Sequence, residues 1–165
     1  MIDLETLGQI PGSAIVSIGC YELETERTFY EEITLASNFA AKLTICASTV
    51  EWWMKQSDEA RAVFNSPNRV MLNIALLKLS NWLQKSGSFQ PWGNGANFDL
   101  TLLECAYRAC KLEIPWKYTS VRCYRTLKAE FRHIKPVRSG VAHNALDDAK
   151  VQGIHLKAIL GSNRS

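Results

Sequence analysis

The segment Ala14-Ile15-Val16-Ser17-Ile18-Gly19-Cys20-Tyr21 is apolar and rich in β-branched residues. Such a run reads as a central strand, and the remainder of the chain has to be arranged around it. Arg27-Thr28-Phe29-Tyr30-Glu31-Glu32-Ile33 follows after an acidic turn and alternates, which makes it the hairpin partner. A short strand ending near Asp3 is expected to pair with these two. It has only Met1 and Ile2 ahead of its acid, so either the strand is short or the natural chain begins a few residues earlier.

Beyond residue 40 the pattern turns helical. Ser48 is placed to cap a helix carrying Val50, Trp53 and Met54, with Glu51 completing a capping box. Ser57-Asp58-Glu59-Ala60 starts a second short helix, closed before Pro67. Leu72, Ala75, Leu76, Leu79, Trp82 and Leu83 recur at three and four, predicting an amphipathic helix from Val70 to Lys85, with Gly87 as its stop. Phe89 to Asn94 resembles a short strand, and Phe98 to Leu112 a long helix stopped before Pro115. A helix near Tyr124 to Phe131 follows. The last runs from about Asn144 to Leu160, with Ala145, Ala149, Gln152, Gly153, Leu156 and Leu160 on neighbouring faces. Strands first, then helices interleaved with a strand, suggest an α/β fold with a mixed sheet. With 165 residues, no internal repeat and no dividing linker, a single domain over 1–165 is expected.

Composition excludes several classes. Hydrophobic residues make up 47% and charged residues 21%, which is incompatible with a disordered tail, a collagen-like chain or a coiled-coil rod. No window approaches roughly 18 uninterrupted apolar residues, so no membrane span is expected. Met1-Ile2-Asp3-Leu4-Glu5 puts acids where a signal peptide needs a basic start, which implies a cytoplasmic protein. Five cysteines, odd in number and without a C-x-x-C pair, agree with a reducing compartment and argue against a zinc knuckle. A net charge of +3 is too small by itself to argue for nucleic acid.

Three separated segments present acids at the ends of expected elements. In Asp3-Leu4-Glu5, strand alternation puts both carboxylates on one face, roughly 7 Å apart along the chain, where they repel unless a cation joins them. In Trp92-Gly93-Asn94-Gly95-Ala96-Asn97-Phe98-Asp99 a strand ends, glycines let the backbone approach something closely, and Asp99 opens a helix. In His143-Asn144-Ala145-Leu146-Asp147-Asp148 the histidine lies at a helix start and Asp148 in its first turns. Singly, each acid could simply complement a helix N-terminus, and His143 could be a packing histidine. Gly93-x-Gly95 lacks the third glycine of a dinucleotide fingerprint. The combination is far more specific than its parts.

Asp3-Leu4-Glu5-Thr6-Leu7-Gly8, Asn97-Phe98-Asp99 and His143-Asn144-Ala145-Leu146-Asp147-Asp148 resemble, in order and spacing, the three motifs of the DnaQ-like 3′-5′ exonucleases of the DEDDh group. Gly12 to Gly19, Trp52-Trp53-Met54-Lys55-Gln56-Ser57 and Arg122-Cys123-Tyr124-Arg125-Thr126 are similar to a narrower branch, the phage and prophage exonuclease VIII-like enzymes and their bacterial exoribonuclease relatives. The resemblance implies a ribonuclease H-like fold, a mixed β-sheet flanked by helices.

It also implies that Asp3, Glu5, Asp99 and Asp148 are metal ligands. Four converging carboxylates carry about −4, which two Mg²⁺ or Mn²⁺ ions offset with hard-ligand chemistry that suits them. In two-metal catalysis the ions sit roughly 3.5–4 Å apart, one activating a water and the other stabilising the leaving 3′ oxygen. His143 takes the role of general base, a task for which histidine's ordinary pKa is suited. The expected products are nucleoside 5′-monophosphates from single-stranded RNA or DNA 3′ ends. Thr6 and Leu7 match positions that meet the terminal nucleotide, and Asn97 belongs to the matched middle motif and is taken as a substrate contact. Asp147 reads as a supporting group, not a ligand.

From Arg125 to Arg138 the chain carries Arg125, Lys128, Arg132, Lys135 and Arg138 against Glu130 alone, the best candidate for phosphate contacts. One of Trp52, Trp53, Trp92 and Trp116 could stack on a base. The other readings are a binding module on the same fold that lost its chemistry, disfavoured because all four acids and the histidine are present, and an endonuclease using similar acids. A homodimer is compatible with the family analogy, although no patch in the sequence demands one.

Overall fold

The computed structural model describes residues 1–95 and 97–162. Strands β1 (Ile2–Thr6), β2 (Ile15–Tyr21) and β3 (Thr28–Glu32) form an antiparallel sheet with β2 in the middle. Every residue of β2 is buried, which explains its missing alternation: both faces of this strand are covered. The β2–β3 turn closes through Glu22 and Arg27, with Glu26 in a left-handed conformation (φ 60°).

β1 runs further than expected, so Asp3 and Glu5 lie within the strand and not at its end. Its register sets Asp3 opposite Gly19 and Glu5 opposite Ser17, with a bulge between Glu5 and Thr6. Directly opposed residues share a face. Leu4 and Ile18 therefore point to one side of the sheet, and the two acids, facing only small residues, point to the other.

The helices cover both sides. On the Leu4 side stand α4 (Leu72–Gln84), burying Leu72, Ala75, Leu76, Leu79 and Leu83, and α5 (Asp99–Ala109), burying Leu100, Leu102, Leu103, Ala106 and Tyr107. Gly87, at φ 65°, follows α4 as the stop that its position suggests. On the acid side lies α7 (Ala145–Ser162), packed on β1 and β2 through Ala149 and Leu156. A parallel pair, β4 (Trp92–Gly93) and β5 (Arg122–Cys123), lies against β1 through β4 and is followed directly by α6 (Tyr124–Glu130). The result is an α/β fold with a mixed set of strand pairings between helical layers. Among the described residues no helix is long and apolar enough to cross a membrane.

Several local expectations need correction. Helix α2 (Ala47–Trp53) starts before Ser48 and shows no side-chain cap, so the capping box does not form. Cys46 N–H is bonded to the Leu7 carbonyl, and its own carbonyl accepts from Thr49 and Val50, so the chain has already turned there. Ser57 does cap α3 (Asp58–Arg61), accepting from Ala60 N–H. β4 is two residues long because Pro91 lacks a donor and glycine follows. Helix α1 (Leu35–Ala40) and strand β5 are not announced by the sequence.

Helix α7 approaches the sheet so closely that a Cβ on Gly19 would lie 2.1 Å from the Ala145 carbonyl carbon and 2.3 Å from Leu146 N. Backbone cannot yield as a side-chain tip can. Gly19→Ala is expected to cost about 3 kcal/mol through overpacking, read as a lower urea midpoint with unchanged slope. A midpoint equal to the parent's would show that α7 is free to shift outward.

Candidate active site

Three elements deliver the acids. Asp3 and Glu5 project from β1 toward α7, and both are buried. Asp99 heads α5, is 1% exposed, and its carboxylate accepts the backbone N–H of Asn94 at 2.8 Å, with the backbone of Leu4 as a further donor. Gly93 makes this fit: a Cβ there would sit 3.2 Å from the Asp99 carboxylate. Asp148 lies in the first turns of α7 and accepts the His143 N–H at 3.1 Å.

Burial and mutual repulsion dominate the electrostatics. Burial pushes Asp3 well above the carboxylate range, reinforced by Asp99, Glu5 and Asp148 and opposed by a hydrogen bond from Gln152. Glu5 is pushed up to about 8 by burial, then by Asp148 and Asp99. Asp99 is raised to about 6 by burial, against the backbone donors and the positive charge of Arg125 that pull it down. The acids therefore feel one another as a group.

Glu5, His143 and Asp148 each offer one ligand atom within 4.8 Å of the others. Two carboxylates, one buried and one half-buried, repel each other beside a half-buried histidine, and this donor set fits a hard divalent cation. Asp3 and Asp99 join it through the charge interactions just described, so the five residues matched to the family motifs stand in one neighbourhood.

His143 is held in an unusual way. Its backbone is left-handed (φ 63°), and its ring stands edge-on to Trp52, with centroids 4.8 Å apart, and to Trp53 at 6.5 Å. Asn144 Oδ1 accepts from Leu146 and Asp147 N–H and so caps α7. Asp147 accepts Val141 N–H at 2.9 Å, clamping the loop that leads into His143. Gly140, at φ 78°, is required there, because a Cβ would fall 2.4 Å from the Asp147 carboxyl carbon.

Of the remaining residues expected at the site, some border the acids and others face elsewhere. A groove of about 280 Å³ opens beside Glu5, walled by Thr6, Gln9, Ser48, Thr49, Trp52 and Phe98. Thr6 uses its hydroxyl on the Gly8 carbonyl at 2.7 Å. Leu7 is buried and faces a separate apolar hollow, with Trp53 and Phe64. Asn97 and Arg125 are exposed, the Arg125 guanidinium lying over Gly95. Arg138 is exposed, 3.9 Å from Asp148. Of the four tryptophans singled out, Trp52 is 40% exposed and flanks the acids, whereas Trp53 and Trp116 are buried and Trp92 is half-buried. Gln152 was not anticipated as part of the site. Its spacing of four from Asp148 on a helix is the signal that could have found it.

A raised carboxyl pKa means that the folded protein holds a proton that the unfolded chain has released. Stability therefore falls as pH rises, from 3.8 to about 6 for Asp99 and from 4.5 to about 8 for Glu5. In a chelator the melting temperature is expected to drop steadily between pH 5 and 8, and millimolar Mg²⁺ or Mn²⁺ should restore most of the loss at pH 8. A flat profile with no response to cations would contradict this charge balance.

Residues 1–160 match the family model described as the 3′-5′ exoribonuclease Rv2179c-like domain. No curated protein gives a significant match. Among solved structures, that of cell-death related nuclease 4 (CRN-4) superposes with a TM-score of 0.60 at 11% identity, covering 98% of this chain. The chain spans only 62% of that nuclease, and at this identity the likeness speaks for the fold, a nuclease α/β fold. Through the family match over nearly its whole length, the chain belongs to the Rv2179c-like 3′-5′ exoribonuclease domain family.

Proposed function

We propose that this chain is a metal-dependent 3′-5′ exonuclease of the DEDDh type, trimming single-stranded RNA from its 3′ end and releasing nucleoside 5′-monophosphates. The observation that carries the reading is the convergence of Glu5, Asp148 and His143 on one point, beside the buried Asp3 and Asp99. RNA is favoured over DNA because the family is one of exoribonucleases.

Asp3, Glu5, Asp99 and Asp148 would hold two Mg²⁺ or Mn²⁺ ions. When bound, such ions supply an activated water and charge stabilisation at the scissile phosphate. The chain's own groups do the rest. Asp99 is fixed by backbone donors and so presents its carboxylate without reorganisation. His143 accepts the proton of the attacking water, and Trp52, packed perpendicular to its ring, restricts the swing of that ring. The groove beside Glu5 receives the terminal nucleotide, with Trp52 and Phe98 as its apolar walls. Arg125 and Arg138, exposed at the rim, meet the backbone phosphates that follow.

Digestion of a 5′-labelled RNA oligonucleotide with Mg²⁺ or Mn²⁺ tests the reading. Stepwise shortening is expected, where an endonuclease gives an internal cut. Asp3→Asn and His143→Ala should each lower turnover by at least about 10²-fold while leaving RNA binding largely intact. Both variants digesting at the parent's rate would show that the chemistry lies elsewhere.

A further inference from the structure

Gln152 follows Asp148 by four residues on α7, so the two side chains leave one face of the helix a turn apart. On the sheet face that α7 covers, Gln152 Nε2 donates to Asp3 Oδ1 at 2.7 Å. Among the described residues no other side chain hydrogen-bonds to Asp3. Everything else charged around that carboxylate repels it: Asp99, Glu5 and Asp148. Without a donor, Asp3 would relax into a rotamer directed away from its neighbours.

The choice of an amide is informative. A lysine at this position would also hold Asp3, but its positive charge would cancel the charge that attracts a cation. A neutral donor fixes one oxygen and leaves the negative charge and the second oxygen in place. The other end of the amide, Gln152 Oε1, is buried and meets no hydrogen-bond partner among the described residues. An unpaired buried acceptor destabilises a fold, and an apolar side chain of the same length would avoid it.

We infer that Gln152 is a positioning residue for the cation site: it acts through Asp3, holding that carboxylate in its ligating orientation from the same helix that supplies Asp148. The inference rests on the cation-dependent reading of the site given above. Groups that orient ligands typically change metal affinity or activity by about 10–100-fold when removed.

Gln152→Met keeps the length of the side chain and removes the donor. Its melting temperature in chelator should stay within a few degrees of the parent's. The Mn²⁺ concentration giving half of the cation-induced rise should increase about tenfold or more. With RNA as substrate, kcat at fixed Mg²⁺ should fall, while KM for RNA stays within about twofold. Should the Met variant fail to fold, Gln152→Leu takes its place, with the same expectation. A folded variant with the parent's Mn²⁺ midpoint and kcat overturns the inference alone. A parent that neither gains stability from Mn²⁺ nor trims RNA overturns the functional reading beneath it.

Discussion

The structure depends on a repulsion that the fold does not relieve. Asp3, Glu5 and Asp99 are taken out of water and set within reach of one another's charge and of Asp148, and the raised carboxyl pKa values of the three record what that costs. Few donors are spent on them: backbone N–H groups on Asp99, one amide on Asp3, one N–H on Asp148. Arg125 and Arg138 stand at the exposed rim, where water screens them, and neither quenches the cluster. Such an arrangement is an energetic liability that a cation converts into an attraction. Local inconsistency of this kind, at one place in an otherwise well-packed molecule, is where function is expected.

The architecture places the liability where three elements can meet. β1 supplies two acids because alternation sends Asp3 and Glu5 to one face while Ile2 and Leu4 seal the core on the other. The opposing residues, Gly19 and Ser17, are small, so α7 can descend onto that face until its first turn touches the backbone of β2. From the other direction, Gly93 lets α5 begin directly against β4, bringing Asp99 to the edge of β1. Two glycines thus fix two of the three approaches. They act by what they omit.

The strands and the long helices were legible because their patterns are long. β2 declares itself by an unbroken apolar run, and α4 and α5 by leucines at helical spacing. The short elements were not. β5 is two residues, stabilised by pairing with β4 and not by its own composition, and α1 is held by Asn38, whose side chain bonds both the N–H and the carbonyl of Ile15, 23 positions away. The Ser48 box failed for the same reason: a tertiary bond from Cys46 to Leu7 had already decided where the chain turns. At the site, residue types at element ends drew notice to the acids and the histidine, and their roles were implied by the family resemblance. Motif matching did not name Gln152, and it gave Thr6 and Leu7 no geometry. The former is occupied with Gly8 and the latter is buried against Trp53 and Phe64.

What unites the candidate site is a single helix. α7 bears Asp148 and Gln152, is capped by Asn144, and through Asp147 and Asp148 accepts the backbone N–H groups of Val141 and His143, just after Gly140. One turn further, the buried His155 extends the same control upstream. Its Nε2 must donate to the Ile134 carbonyl, which can only accept, and this leaves Nδ1 to take the hydroxyl of Tyr124 on α6. The loop between α6 and α7 is therefore anchored near both ends to the helix that follows it. The strained conformation of His143 is then set by α7 and does not depend on a bound substrate to impose it. In the proposed mechanism, a base fixed to the same rigid body as one ligand and the orienter of another would keep its distance from them when the exposed parts of the loop move, which is the preorganisation that water activation requires.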